Sequence, residues 1–173
     1  KHRVPENHVV VSYIGKIARD KGIELLVRAI APIMKERGDV WLYLLGSAVP
    51  DYAEAIRREI AAVGLENRVI WHDPVPSLEL PAHFCFSDIC VWPGSISIST
   101  LDASACSRPV IIAETSRAVF ERTAGESGIV FPEGDVSSLS NILRALIENP
   151  EHRDRMGENG RRLVLKRYSW EVI

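Results

Sequence analysis

Six short apolar runs recur along the chain, and segments with helical periodicity separate most of them. HVVVSYI (8–14), DVWLYLLG (39–46), RVIWH (68–72), DICVWP (88–93), RPVIIA (108–113) and GIVF (128–131) read as strands. Several are apolar at successive rather than alternate positions, so both faces must be covered, as in a parallel sheet between helical layers. The connecting segments agree. Ile23, Leu26, Val27, Ile30, Ile33 and Met34 fall at helical spacing, with Pro32 expected to kink or break the helix. YAEAIRREIAAVG (52–64) reads as a helix stopped by Gly64, SLELPAHFCFS as a short helix, and STLDASACS as another. Leu139, Ile142, Leu143, Leu146 and Ile147 mark a strong helix capped by Asp135 or Ser137, and a polar helix follows from about Pro150 to Arg167. The expected fold is α/β: a doubly wound, mostly parallel sheet of about six strands, as a single domain of 173 residues.

Charge and cysteine usage narrow the function. The formal net charge is −2 and no run of Lys or Arg forms a basic arm, which argues against nucleic acid and anionic membrane surfaces as partners. Cys85, Cys90 and Cys106 are odd in number, lie among apolar residues and lack CxxC or Cys/His spacing, so they read as reduced core cysteines and no metal site is expected. None of His2, His8, His72, His83 and His152 stands at a zinc-like i, i+4 spacing. No signal-peptide pattern and no apolar run of about twenty residues occurs, so a cytoplasmic setting is expected. The chain opens on Lys1-His2-Arg3 rather than Met and stops just after Tyr168-Ser169-Trp170. It is expected to be part of a larger protein, with any membrane association carried by the remainder.

In doubly wound sheets ligands lie beyond the carboxyl ends of the strands, which directs attention to GKIARDKG, GSAVPD, HDPVP, PGSISIS and AETSR. Familiar fingerprints fail there. Gly46-Ser47-Ala48-Val49-Pro50 lacks the glycines of GxGxxG, no P-loop GxxxxGK occurs, and Ser97 followed by Ile98 and Ser99 breaks GxSxG. What remains is an anion site. GKIARDKG (15–22) carries Lys16, Arg19 and Lys21 between two glycines and ahead of a helix, a pattern that admits an anion to backbone amides. Solvated lysines around an ordinary turn fit the same residues. PGSISISTLDASACSRPV (93–110) also has two readings: an edge strand with Ser95, Ser97 and Ser99 outward, or a loop delivering a helix from near Ile98 or Ser99. Pro93-Gly94 interrupts the preceding strand and favours the loop. A diphosphate would then lie between that helix start and Lys16 and Lys21, with Asp102 placed to accept from two ribose hydroxyls. Ser99-Thr100-Leu101-Asp102 equally fits a capping box, in which the acid serves only the backbone.

YIGKIARDKGIELLVRAI, AAVGLENRVIWHDPVP, LDASACSRPVI, GESGIVFPEGDVSSLSNIL and RYSWEVI follow one another along essentially the whole chain. Their order resembles the C-terminal nucleotide-binding domain of group 1 (family 4) retaining glycosyltransferases, which have the two-domain GT-B fold. The second and third segments are similar to that family's GLxxRVxFxGxVP and LEAMACGxPVI. The resemblance implies Lys16 and Lys21 as a catalytic basic pair on the donor diphosphate and Asp102 as the second acid of a Glu, seven residues, Glu motif, on the ribose. It implies close approach at Gly15, donor contacts from Gly94, Ser95, Ile96, Ser97, Ile98 and Ser99, and the backbone at Trp71 and His72 beside the base. It implies no metal and no cofactor. The implied partners are a nucleoside-diphosphate sugar, an acceptor sugar, lipid or other hydroxyl compound, and an N-terminal domain of the same protein.

Departures accompany it. Gly94 stands where the family usually has the first Glu, Ser95-Ile96-Ser97 replaces Gly-Phe-Gly, and Ser116-Arg117 replaces Gly-Gly. Nucleotide binding is therefore better supported than sugar recognition. A non-catalytic nucleotide-sugar module with a decayed site stays open as an alternative. So does a flavin- or dinucleotide-binding oxidoreductase domain, although the missing GxGxxG counts against it.

Overall fold

A computed structural model of the protein describes residues 4–115 and 127–168. Each apolar run becomes a strand: β1 (Val9–Ile14), β2 (Val40–Leu45), β3 (Val69–His72), β4 (Ile89–Trp92), β5 (Val110–Ala113) and β6 (Gly128–Phe131). They form one sheet in the order β3-β2-β1-β4-β5-β6. Every pairing is parallel, from Val9 opposite Val40 to Ala113 opposite Phe131. β1, β4 and β5 are buried along their whole length while edge strand β3 is half-buried, so the unbroken apolar pattern marks the strands covered on both faces. The helices are α1 (Ile23–Glu36), α2 (Pro50–Ala62), α3 (Leu80–Phe86), α4 (Ser99–Ala105), α5 (Val136–Glu148) and α6 (Pro150–Arg167). α1 packs between α2 and α5, and α4 between α3 and α6, which gives the two layers of a doubly wound sheet.

Local packing explains where the elements differ from expectation. Pro32 does not break α1. A mid-helix proline costs about 3 kcal/mol, whereas burying Ile33 and Met34 beyond it gains about 1.5–3 kcal/mol each, and both are fully buried. Arg68 closes the far end of that helix by donating to the carbonyls of Met34, Arg37 and Val40. α2 begins at Pro50, two residues earlier than expected, because proline is pre-set for the first helical position. SLELPAHFCFS divides into a 3-10 turn (Ser77–Glu79) and α3. Of the two candidate caps for α5, Asp135 is the one used, accepting from the Ser138 amide at 2.9 Å.

The serine segment is a loop followed by α4, not a strand. α4 ends in a Schellman motif: the Ser107 amide donates to Ser104 and the Arg108 amide to Ala103, with Ser107 left-handed at φ 56°. Gly157 of α6 docks on that turn so closely that a Cβ there would lie 2.0 Å from the Ser107 carbonyl oxygen. The cysteines need correcting, since only Cys90 is in the core, while Cys85 is exposed and Cys106 half-buried. No described helix is long and apolar enough to cross a membrane. His2, the replacement Ser116-Arg117 and the closing residues 169–173 lie outside the described residues.

Candidate functional site

Strand order reverses between β1 and β4, so the connections leaving these two neighbours run to opposite sides and open a crevice at their carboxyl ends. The GKIARDKG loop and the serine loop meet there. Gly94 lies so close to the other loop that a Cβ on it would sit 2.5 Å from the Asp20 carbonyl oxygen and 2.6 Å from the Lys21 carbonyl carbon. The Ser95 amide donates to that Asp20 oxygen at 2.8 Å. Lys21 Nζ donates to Ser95 Oγ at 2.5 Å and lies 3.0 Å from Asp20 Oδ2, to which Ser95 Oγ itself donates at 2.7 Å. Ser95 and Lys21 together hold the Asp20 carboxyl below its ordinary range. Lys21, only 17% exposed, is thus locked by a neighbouring acid that sequence reasoning passed over.

Lys16 differs. Its side chain is exposed and meets no partner among the described residues. Its backbone is fixed instead, since the buried Tyr13 hydroxyl donates to the Lys16 carbonyl at 2.8 Å and the Ile17 amide to Ser47 at 2.8 Å. Burial raises the Tyr13 hydroxyl pKa, which keeps it a donor. The Gly15 amide donates to Leu45 at 2.9 Å, and Gly46 approaches so near that a Cβ on it would lie 1.9 Å from the Gly15 carbonyl oxygen. Nothing in the spacing of Tyr13 marked this role; it looked like any buried strand residue.

Across the crevice, the first amides of α4 are already used. Ser97 Oγ accepts from the Ser99 hydroxyl at 2.9 Å and from the Ser99 amide at 3.4 Å, the Thr100 amide donates to Ser97, and the Leu101 amide to Ile98. The amides of Ile96, Ser97 and Ile98 find no acceptor among the described residues. The open donors therefore sit just upstream of the helix rather than in its first turn. The capping box is absent, because Ser97 rather than Asp102 serves the Ser99 amide. The exposed Asp102 carboxylate meets no partner among the described residues. It borders a cavity of about 190 Å³ lined by Ser77, Leu80, Pro81, Ala105 and Cys106, and desolvation there raises its pKa.

Trp71 and His72 diverge. The His72 carbonyl accepts from the Gly46 amide at 3.2 Å, at the same edge of the sheet. Its ring stands edge-on to His83 at 4.9 Å. The Trp71 indole instead lies under the Arg57 guanidinium, 4.5 Å from its centre, in a separate cavity of about 390 Å³ against α2. Its side chain is therefore not part of the crevice. Among the described residues no three His, Cys, Asp or Glu side chains gather as a metal-binding group.

The profile of the family described as Glycosyl transferases group 1 matches residues 1–163. The chain is 26% identical over 173 residues to the GDP-mannose-dependent alpha-(1-6)-phosphatidylinositol monomannoside mannosyltransferase of Mycolicibacterium smegmatis, across 94% of this chain and 45% of that relative. It is 30% identical over 162 residues to the D-inositol 3-phosphate glycosyltransferase of an Arthrobacter species, across 89% of this chain and 38% of that relative. It thus spans less than half the length of these relatives. Its fold is similar to the C-terminal domain of LpcC, a group 1 family glycosyl transferase of Francisella tularensis, at a TM-score of 0.85 and 22% identity over 94% of this chain and 87% of that one. HepE of Anabaena, solved with UDP and glucose, is similar at a TM-score of 0.83 and 23% identity over 94% of this chain and 45% of that one.

Proposed function

We propose, for a chain that belongs to the group 1 glycosyltransferase family, that it is the donor-binding half of an enzyme moving a sugar from a nucleoside-diphosphate sugar to an acceptor hydroxyl, with retention at the anomeric carbon. One observation carries the reading: at the β1–β4 crevice the loop that meets the loop of Lys16 and Lys21 through Gly94 and Ser95 carries three amides, those of Ile96, Ser97 and Ile98, without an acceptor among the described residues, and the unpaired Asp102 carboxylate follows on the same segment. The amides and lysines suit a diphosphate, and Asp102 suits a ribose diol. HepE, similar in fold, is solved with UDP and glucose, which supports the same ligand class. In this reading the rate arises from holding the donor still and from positive charge meeting the leaving diphosphate as its charge develops. Lys16 is free to approach the phosphate, whereas Lys21 reaches it through its fixed place beside Ser95. Side chains and amides supply these contacts, so no metal is required. The acceptor and the facing wall of the cleft belong to a preceding domain of the same protein, and the isolated chain binds nucleotide weakly and transfers nothing.

Gly94 argues against a decayed site. Loss of an acid by decay leaves space, but here the Asp20–Lys21 peptide fills the position a side chain would take. The sugar is then held by groups other than an acid at this position. Calorimetric titration of the full-length protein with UDP, GDP and ADP sugars tests the assignment, repeated with Lys16→Ala, Lys21→Ala and Asp102→Ala. Absence of binding, or affinity untouched by all three substitutions, sinks it.

A further inference from the structure

The proposed donor contacts leave one acid of the crevice unused. Asp20 is the single acid in GKIARDKG, the loop that follows β1. It sits at the centre of a 3-10 turn (Arg19–Lys21) that ends at left-handed Gly22, with the Lys21 amide donating to Ala18 at 3.0 Å. The Asp20 carbonyl accepts from the Ser95 amide at 2.8 Å, and its carboxylate takes Ser95 Oγ at 2.7 Å and Lys21 Nζ at 3.0 Å. Both side-chain partners fall on Oδ2 and the side chain is 62% exposed, so Oδ1 keeps lone pairs open to a ligand. The neighbouring cation, the Arg19 guanidinium, lies instead over the Tyr52 ring of α2, 5.8 Å from its centre. Asp20 is therefore held in place from two sides while part of its acceptor capacity stays open.

The order of groups along the serine segment indicates what that acceptor meets. Ser95, which holds Asp20, is followed by the amides of Ile96, Ser97 and Ile98, without an acceptor among the described residues, and then by the Asp102 carboxylate. Acid, amides, acid is also the order in which a nucleoside-diphosphate sugar presents its sugar hydroxyls, its diphosphate and its ribose hydroxyls. A carboxylate repels phosphate oxygens and accepts from hydroxyls. With the ribose at Asp102, the hydroxyls left for Asp20 are those of the transferred sugar. We propose, on the reading of the crevice as a donor site, that Asp20 is a sugar-binding residue: its carboxylate accepts a hydrogen bond from a hydroxyl of the donor's transferred sugar and so helps decide which sugar is taken. The packing at Gly94 agrees, because the Asp20–Lys21 peptide that excludes a side chain there is the same segment that brings this acid to the crevice.

Full-length protein is titrated calorimetrically with UDP, GDP and ADP, and with the glucose, galactose, mannose and N-acetylglucosamine donors of these nucleotides. Asp20→Asn should weaken the nucleotide sugar that binds by about 10-fold. Affinity for the matching nucleoside diphosphate should stay the same or rise, since a negative charge beside the phosphates is gone. Equal loss for both ligands would assign Asp20 to holding Lys21 alone and overturns the proposal, as does no loss for the nucleotide sugar. Monodeoxy donors read the contact itself: one should bind wild-type protein more weakly than its parent, whereas Asp20→Asn should bind that analogue and the parent alike. A variant that discriminates among the analogues as wild type does also overturns the proposal. Ser95→Ala, which removes the hydroxyl anchoring Oδ2, should show the same selective loss and keeps the test decisive if Asp20→Asn fails to fold. Wild-type protein that binds no nucleotide takes away the donor site itself, whereas the outcomes above remove only the role of Asp20.

Discussion

Asp102 illustrates a carboxylate whose surroundings work against its charge. Desolvation beside Leu80, Pro81 and Cys106 raises its pKa and nothing described pairs with it, so ionising it costs the folded state. The sign follows from linkage: with the folded pKa above the unfolded one, stability falls as pH rises between them. Asp102→Asn should therefore raise the melting temperature at neutral pH. The same substitution removes a charged acceptor worth about 1.5 kcal/mol or more, so nucleoside-diphosphate affinity should drop about 10-fold or more by calorimetry. In the wild type, affinity should decline on acidification from a higher pH than a free aspartate near about 3.9 would give. Gly94 poses the opposite case, a position with no room for a side chain. Gly94→Ala should cost about 1–3 kcal/mol in denaturant unfolding through the clash with the Asp20 carbonyl, and Gly94→Glu should fare no better. A stable Gly94→Glu protein with restored sugar transfer would contradict the packing argument.

At the scale of elements, α4 is short and its boundaries are set by the loops around it. Its start is held by Ser97 and its end by the Schellman turn at Ser107, where a left-handed φ of 56° is carried by a residue with a Cβ. Ser107→Gly should stabilise the protein by about 0.5–1 kcal/mol, since glycine adopts that conformation without steric cost. The Gly157 contact is to the Ser107 backbone, so α6 docking should survive the change. An unchanged or lowered unfolding midpoint would mean that the Ser107 side chain contributes more than its strain. Periodicity located nearly all the described elements because their buried faces are local patterns, as Leu139 and Leu143 in α5 show. It could not show that α1 runs on past Pro32, because the buried side chains that keep the helix intact pack against strands and helices far away in sequence.

At the scale of the molecule, the crevice exists only because β1 and β4 are neighbours, although their register partners Ser12 and Cys90 lie 78 positions apart in the chain. Ligand at about 100 times its Kd should add roughly 2.7 kcal/mol of stability. UDP or GDP sugars should accordingly raise the melting temperature of the protein, and Asp102→Ala should remove most of that rise. The alternation of apolar runs and amphipathic segments determined the fold class, since a strand apolar at every position has no solution except burial on both faces. The same alternation located the segments that follow β1 and β4, which carry Lys16, Lys21 and Asp102. What only the tertiary structure decided was which contacts these residues make. The pairing of Lys21 with Asp20 and Ser95, the freedom of Asp102 and the seating of Gly94 on the Asp20–Lys21 peptide are contacts between loops over seventy residues apart or between a side chain and the cavity that desolvates it. Spacing along a chain encodes which face a residue shares with its neighbours, and the strand order of the sheet decides which distant loop it meets.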